Sequence, residues 1–199
     1  WLEGRNLSAD DIGLILAVTL WAKVPVGMLF TSVADATGER KRLQIITSIV
    51  VLLGIILISQ LHGFWPLLLA WAIIGTLMTT AIPLADSIIV TAVKSMSVDY
   101  GKIRVWGSIS FIFVSLTGGW YLSDKGTEQV IILLMIGAVA MIIGAILLPN
   151  LKELPRSSKS LASFDLIKRP GFMLFIFTAA VLQSSHAALY GFATLSWVE

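Results

Sequence analysis

Long apolar segments alternate with short polar segments along this chain. Each apolar segment is about 19 to 28 residues long. At a rise of 1.5 Å per helical residue, that length crosses the hydrocarbon core of a bilayer. The pattern therefore predicts six membrane-spanning helices, with expected limits at 12–33, 43–61, 66–93, 103–122, 130–148 and 172–197.

The polar segments contain signals for helix boundaries. Ser8 and Asp11 precede the first apolar run, where side-chain oxygens accept hydrogen bonds from free backbone N–H groups. Pro66 suits the first turn of the third helix, and Pro149 ends the fifth. A charged loop is expected at 35–42. These boundaries divide the chain into an outer loop, five helices of a first bundle, a polar linker and the first helix of a second bundle, at 1–11, 12–148, 149–170 and 171–199.

Composition places the chain in the membrane. Hydrophobic residues make up 57% and charged residues 13%, against about half and about a quarter in a soluble domain. The absence of cysteine excludes disulfides, thiolate nucleophiles and Cys-ligated metal sites. The two His residues are 124 positions apart, and no Ser-His-Asp or metal-binding spacing is present. We therefore expect neither enzymatic activity nor a cofactor.

The basic residues are distributed unequally between alternate sides of the predicted helices. One side holds only Arg5 and Lys125. The other side holds Arg40, Lys41, Arg42, Lys94, Lys102, Arg104, Lys152, Arg156, Lys159, Lys168 and Arg169. The positive-inside rule then places the basic loops and the linker in the cytoplasm and Trp1 outside. No basic face remains for nucleic acid, and a protein that begins inside would need one more helix before Trp1.

One acidic and one basic residue lie within a predicted helical hairpin, 85–111. If the turn centres near Ser95, Asp86 and Arg104 each lie about nine residues from it and reach the same depth. An ionisable residue inside a membrane span is costly, and its first interpretation is functional, with a named partner. We therefore predict that Asp86 pairs with Arg104.

Further polar groups lie inside other spans. Lys23 is near the middle of the first helix and needs a partner or a water-filled cavity. On the last helix Gln183, His186 and Tyr190 share one face, which is typical of a small-molecule site. The third helix has a face of small and polar residues that is expected to line protein or water rather than lipid: Ala72, Thr76, Thr79, Pro83, Asp86, Val90 and Lys94.

Simpler roles are open for each of these groups. One alternative is that Arg104 only anchors the cytoplasmic end of its helix at the interface. A second alternative is that Lys23 and Asp86 form a structural pair that has no contact with substrate. For His186, the alternative is that it only forms a hydrogen bond with a neighbouring helix and does not contact substrate.

The loop between the first two helices resembles a signature of the major facilitator superfamily. That signature is Gly-x-x-x-Asp-Arg-x-Gly-Arg-Arg, and here Thr31 replaces its first Gly and Ala36 its first Arg. The positions that keep the pattern are Asp35, Gly38 and Arg40. The resemblance implies that they form a cytoplasmic gate, a charge cluster that stabilises one state of the transport cycle.

A closer resemblance is to the 3-phenylpropionate permease branch of that superfamily. It rests first on Pro83–Asp86 and Asp99–Ser108. Further stretches that agree are Trp1–Gly4, Ile12–Leu14, Leu182–His186 and Ala187–Phe192. The resemblance implies an all-α membrane protein, a helical bundle of the superfamily type, of which this chain covers transmembrane helices 2 to 7 of 12. The lactose permease, a more distant relative, holds its substrate with an acidic residue and an Arg at the same spacing as Asp86 and Arg104.

The resemblance also implies a function. The Pro-containing motif typical of antiporters in the fifth helix is replaced by Ser115–Gly119, which favours symport. We expect proton-coupled uptake of a small organic substrate, such as an aromatic acid, by a protein that is monomeric at full length in a bacterial inner membrane. Three alternatives are a sugar or nucleoside symporter, a facilitator without proton coupling, and a membrane receptor or scaffold that transports nothing.

Overall fold

The computed structural model describes residues 1–96, 99–151 and 168–197, without the side chains of 94–96, 124, 127, 183 and 185–197. The described residues are mainly α-helical and include no β-strand, which confirms the predicted fold class. The α-helices are α1 (Ala9–Thr37), α2 (Arg40–Gln60), α3 (Phe64–Met96), α4 (Tyr100–Lys125), α5 (Val130–Leu147) and α6 (Pro170–Trp197). The chain divides into two compact units, Trp1–Arg156 and Ser157–Glu199.

Among the described residues, the five helices α1 to α5 are long and apolar enough to cross a membrane. Helices α1, α3 and α4 extend beyond the predicted apolar runs at both ends, whereas α5 ends one residue short of its run. Ser8 caps α1 by accepting a hydrogen bond from the Asp11 N–H, and the Asp11 carboxylate accepts from the Ser8 N–H, so the helix begins at Ala9. The expected loop at 35–42 is wrong, because α1 runs to Thr37 and α2 begins at Arg40.

A glycine makes this short turn possible. Gly38 has a φ of 66°, in the left-handed region, and its N–H donates to the Ala34 carbonyl to end α1. Only Gly38 and Glu39 separate the two helices. Short turns also join α2 to α3, so α1 and α3 run parallel to each other and antiparallel to α2.

Helices α1 and α3 pack through small residues. The Thr76 hydroxyl lies 3.4 Å from the Thr19 carbonyl oxygen and also donates to the Ala72 carbonyl at 2.6 Å. A Cβ atom on Gly75 would lie 2.8 Å from the Thr19 methyl carbon. Small residues allow such close approach between helices that gain nothing from the hydrophobic effect in lipid. The contact sets the register, with Thr19 level with Thr76.

Helix α2 packs against both α3 and α5, and a glycine again allows it to approach α3 closely. A Cβ atom on Gly54 would overlap the Ile74 side chain. The apolar core lies in the half of the unit near the N-terminal ends of α1, α3 and α5, and includes Ile15, Val51, Ile55, Ile58, Leu67, Leu77 and Ile131. The buried polar side chains lie toward the other half and are Gln44, Thr47, Ser48, Thr76 and Thr80.

Helix α4 is attached more loosely than the other helices of the first unit. Asp99 caps it by accepting hydrogen bonds from the N–H groups of Gly101 and Lys102. At its far end the Tyr121 hydroxyl donates to Gln129 at 3.3 Å. Its large apolar side chains, such as Trp106 and Phe111, are exposed in the structure. The ion pair described next is therefore a principal link between α4 and α3.

Candidate substrate and proton site

Asp86 on α3 and Arg104 on α4 form an ion pair. The Arg104 Nη1 atom lies 3.2 Å from Asp86 Oδ1 and 3.4 Å from Asp86 Oδ2, so one N–H group is shared between both carboxylate oxygens. The predicted contact is confirmed, whereas its role in binding stays a prediction. Both residues lie in helices of membrane-spanning length and composition.

The turn between the two helices does not centre near Ser95, so that part of the prediction is wrong. Helix α3 continues through Ser95 to Met96, and α4 begins at Tyr100. Asp86 is therefore ten residues from its helix end and Arg104 only four, which corresponds to about 15 Å and about 6 Å along the two axes. The expectation that the two residues reach the same depth stays a prediction.

The ion pair is accessible rather than enclosed. The exposed fraction is 57% for the Arg104 side chain and 32% for the Asp86 side chain. An accessible ion pair contributes about 0.2–1 kcal/mol to stability, because side-chain entropy and solvation offset the attraction. The guanidinium keeps N–H groups that Asp86 does not use, and these are available to bind a substrate oxygen.

The small and polar face of α3 divides into two parts. Thr76 is fully buried against α1, which agrees with the expectation that this face meets protein. Pro83 and Val90 are exposed, so the part near Asp86 is open within the described residues. Pro83 has no N–H and leaves the Thr79 carbonyl without its usual helical donor. Asp86 thus lies about one turn after a missing backbone hydrogen bond in an otherwise continuous helix.

Lys23 is half-buried on α1 and lies away from Asp86. From the register of Thr19 with Thr76, Lys23 is level with Thr80, six residues or about 9 Å along the axis from Asp86. Within the part of the chain that the structure describes, its ammonium makes no hydrogen bond or ion pair. The alternative of a Lys23–Asp86 pair is wrong for this structure.

The predicted gating residues meet at the turn between α1 and α2. Arg40 Nη2 lies 2.8 Å from Asp35 Oδ1, across the turn that Gly38 makes, and the Arg40 side chain is 13% exposed. Next to it, the Lys41 ammonium donates to the Ile146 carbonyl in the last turn of α5 at 2.7 Å. The turn is therefore held on both sides by charged hydrogen bonds, while its role as a gate stays a prediction.

Comparison with known proteins identifies the family. The family model described as "MFS_1 like family" matches residues 1–197, nearly the whole chain. This chain belongs to the MFS_1 like family. The resemblance to the major facilitator superfamily is thereby confirmed, and with the apolar helices it makes this chain an integral, multi-pass membrane protein.

Curated members of the superfamily are similar at low identity. The "Probable 3-phenylpropionic acid transporter" of Escherichia coli (strain K12) is 27% identical over 202 residues, which are 99% of this chain and 53% of that protein. The "Maltose permease" of Geobacillus stearothermophilus is 32% identical over 61% of this chain and 31% of its own length.

A third relative is the "Probable sugar efflux transporter" of Haemophilus influenzae (strain 86-028NP), 27% identical over 94% of this chain and 47% of its own length. The chain thus spans about half the length, or less, of these curated relatives. No solved structure matches it.

The remaining predicted residues of this MFS_1 like chain lie on α6. Gln183, His186 and Tyr190 share a helical face by their spacing, but their side chains lie outside the described residues. Helix α6 belongs to the second compact unit.

Sequence reasoning missed a polar cluster at the opposite end of the first unit. Arg5 donates to the Ser59 carbonyl at 2.7 Å and to His62 Nε2 at 2.6 Å. Its guanidinium carbon also lies 4.7 Å from the centre of the Trp1 ring. The four-residue spacing of Trp1 and Arg5 was the signal in the sequence for the contact between these two side chains. The hydrogen bond from Arg5 to Ser59 on α2 could not be predicted, because it forms only when the chain folds.

Proposed function

We propose that the full-length protein is a secondary transporter that couples uptake of a small organic substrate to proton entry. The substrate we favour is an aromatic acid such as 3-phenylpropionate, and the mechanism is alternating access around a site near the membrane midplane. The Asp86–Arg104 ion pair inside two membrane-length helices carries this proposal. The name of the Escherichia coli relative supports the choice of substrate.

Each predicted residue has a role in the proposed mechanism. Asp86 binds the proton, and Arg104 or Lys23 binds the substrate carboxylate through a charge-assisted hydrogen bond. Gln183, His186 and Tyr190 contribute hydrogen bonds and an aromatic ring. The proposed cytoplasmic gate is formed by Asp35, Gly38 and Arg40.

Coupling follows from the two influences on the Asp86 carboxylate. A guanidinium in contact favours the charged form, whereas loss of solvent favours the protonated form. A substrate carboxylate that draws Arg104 away from Asp86 leaves the acid without its counter-charge and favours proton uptake. Substrate and proton then enter together, and relative movement of α3 and α4 reverses the balance on the other side.

The proposed setting is a bacterial inner membrane. The distribution of Lys and Arg supports cytoplasmic placement of the turn between α1 and α2 and of the linker at 149–170. We propose that the full-length protein acts as a monomer, with its substrate, the proton and the lipid bilayer as its partners. The five helices of the first unit would then belong to the first bundle and α6 to the second.

A sugar is the second candidate substrate. The names of two relatives, a maltose permease and a sugar efflux transporter, favour it. An Asp–Arg pair also binds hydroxyl groups, since the carboxylate accepts and the guanidinium donates. The word efflux in one of these names also suggests export instead of uptake. The experiment below distinguishes export from uptake.

The test is substrate-driven proton movement by the full-length protein in right-side-out vesicles. Addition of 3-phenylpropionate should make the outside medium more alkaline, and Asp86→Asn should abolish this signal. A panel of sugars and nucleosides tests the other substrates. Asp10→Asn, the same chemical change in the exposed first turn of α1, is the matched control and should transport normally.

Several outcomes contradict the proposal. Normal coupling by Asp86→Asn would make Asp86 structural. Uptake that persists unchanged with a protonophore identifies a facilitator, and ligand binding without flux identifies a receptor. A proton signal with sugars alone would identify a sugar as the substrate in place of an aromatic acid. Accumulation of substrate only in inverted vesicles would establish efflux.

A further inference from the structure

A hydrogen bond joins the N-terminal segment, residues 1–8, to the turn between α2 and α3. Arg5 Nη1 lies 2.6 Å from His62 Nε2. The same guanidinium donates to the Ser59 carbonyl and lies over the Trp1 ring. The Arg5 side chain is half-buried, with its Nε atom closed to solvent, whereas His62 is exposed. The imidazole is therefore the partner that exchanges protons freely with solvent.

The second ring nitrogen of His62 determines which protonation state this contact needs. His62 Nδ1 lies 3.0 Å from the Gln60 carbonyl oxygen, which can only accept a hydrogen bond. The network therefore assigns the ring proton to Nδ1. A guanidinium can only donate, so Nε2 accepts from Arg5 and carries no proton. The contact thus requires the neutral imidazole.

Protonation of the imidazole removes the basis of the contact. A proton on His62 Nε2 places a donor against a donor, and a positive charge beside the positive charge of Arg5. Imidazole side chains change their charge between about pH 5 and 8. The contact is therefore present at the alkaline end of this interval and is lost as the pH falls through it.

No carboxylate among the described residues offsets this repulsion. Neither Arg5 nor His62 forms an ion pair with Asp or Glu there. The last turn of α2 and the first turn of α3 contain no charged residue. The charged residues on the other neighbouring elements are Glu3, Asp10, Asp11, Lys125 and Glu128.

We propose that the Arg5–His62 contact is a pH-sensitive link, which holds the N-terminal segment at neutral pH and loosens it when His62 is protonated. The apolar side chains of Leu2 and Leu7 keep their contacts with the core, so the segment loosens without leaving the first unit. In the orientation proposed above, this end of the unit faces the outside, and the link responds to the acidity of the external medium. It depends on neither the proposed substrate nor Asp86.

The test is hydrogen exchange of the full-length protein in detergent, measured by mass spectrometry on peptides that cover residues 1–8. The amide N–H groups of Arg5 and Asn6 are hydrogen-bonded within this segment and exchange when it loosens. The comparison is with His62→Gln, whose amide oxygen accepts from Arg5 at every pH. The two proteins should exchange at equal rates at about pH 8. At about pH 5.5 the unaltered protein should exchange about three- to tenfold faster, the effect of about one hydrogen bond.

Comparison of the two proteins at one pH removes the pH dependence of the exchange chemistry itself. Lys125→Gln is the matched control, because it removes a cation that lies over the Tyr121 ring and not at the contact. This variant should keep the full difference from His62→Gln at about pH 5.5. If His62→Gln does not fold, Arg5→Gln replaces it, and its segment should exchange faster at both pH values by the same factor.

Two results would overturn the proposal. One is equal exchange of residues 1–8 in the unaltered protein and in His62→Gln at about pH 5.5. The other is a difference of the same size at about pH 8, because the effect would then come from the substitution and not from a proton on His62.

Discussion

The Asp86–Arg104 pair places opposite charges within otherwise apolar helices, and each charge depends on the other. Removal of one partner leaves an uncompensated charge inside a span, whereas removal of both leaves none. Asp86→Asn and Arg104→Gln should each lower the thermal midpoint of the full-length protein by about 1–2 °C, the equivalent of about 1 kcal/mol. The double variant should be less destabilised than the sum of the two.

The measurement is a double-mutant cycle on thermal unfolding in one detergent. We expect a coupling energy of about 0.5–1 kcal/mol, at the low end for residues in contact because the pair is accessible. Additive effects would show that the two side chains do not interact in the membrane. Asp10→Asn again supplies the control for loss of a carboxylate outside the ion pair.

Gly38 is a residue whose backbone conformation disfavours other side chains. With a φ of 66°, replacement by Ala should cost about 1–2 kcal/mol, because Cβ then crowds the backbone. Asn tolerates this region better, so Gly38→Asn should cost less than Gly38→Ala. Thermal unfolding of the two variants provides the measurement.

Gly27 supplies a matched control within α1. A Cβ atom there meets nothing within 4 Å, and Gly27→Ala should be neutral or stabilising by up to about 1 kcal/mol, since Ala favours helix. If Gly38→Ala is as stable as Gly27→Ala, the turn between α1 and α2 adopts another conformation.

The residues of the candidate site could be predicted only in part. The positions of Asp86 and Arg104 on opposite sides of a turn were sufficient to predict their contact. The distance of Arg104 from the end of its helix could not be predicted, because α3 continues through residues that were expected in the turn. The partners of Arg5 are Ser59 in α2 and His62 in the turn after it, more than fifty residues away, and no local pattern specifies them.

At the scale of helices, Gly54 controls how closely α2 approaches α3. A Cβ atom at this position would overlap both Ile74 Cδ1 and Ile74 Cγ1. Both side-chain atoms must move, so Gly54→Ala should destabilise the protein by about 1–3 kcal/mol, the usual cost of overpacking. Thermal unfolding and the yield of folded protein in the membrane are the measurements.

The second variant distinguishes a local clash from a general loss of helix packing. Ile74→Ala removes both overlapping atoms, so Gly54→Ala combined with Ile74→Ala should cost less than the two changes added together. Gly137→Ala on α5 is the control, since a Cβ atom there meets nothing within 4 Å. Equal effects of Gly54→Ala and Gly137→Ala would contradict the close approach of α2 and α3.

The helices themselves were predictable, and their ends were less so. Each helix of the first unit corresponds to one predicted apolar run. The apolar runs indicated which residues lie in the lipid core. Helices such as α1 continue beyond them into polar sequence, as far as a capping residue such as Gly38. Lys94 to Met96 were expected in the turn because the third apolar run ends at Val93, yet they continue α3 and move the turn toward Asp99.

At the scale of the whole molecule, the distribution of Lys and Arg predicts the orientation in the membrane. This chain contains no Cys, so single cysteines introduced into it report its orientation once any Cys elsewhere in the full-length protein has been replaced by Ser. Ser123→Cys, near the end of α4, should react with an impermeant maleimide in intact cells. Glu39→Cys, in the turn between α1 and α2, should react only after permeabilisation.

Both variants carry exposed positions, so access to the reagent depends on the side of the membrane and not on burial. Labelling with the opposite preference would invert the proposed topology and place the Asp35–Arg40 pair outside. Equal labelling of the two cysteine variants in intact cells would show that one of the helices between positions 39 and 123 does not cross the membrane.

The hydrogen bond from Lys41 to the Ile146 carbonyl has a mechanical consequence. It fastens the start of α2 to the last turn of α5, over 105 residues of sequence. Helix α5 ends one residue later, at Leu147. A shift of the Gly38–Glu39 turn would therefore pull on the C-terminal end of α5 through this hydrogen bond, in addition to the packing of α2 against α5.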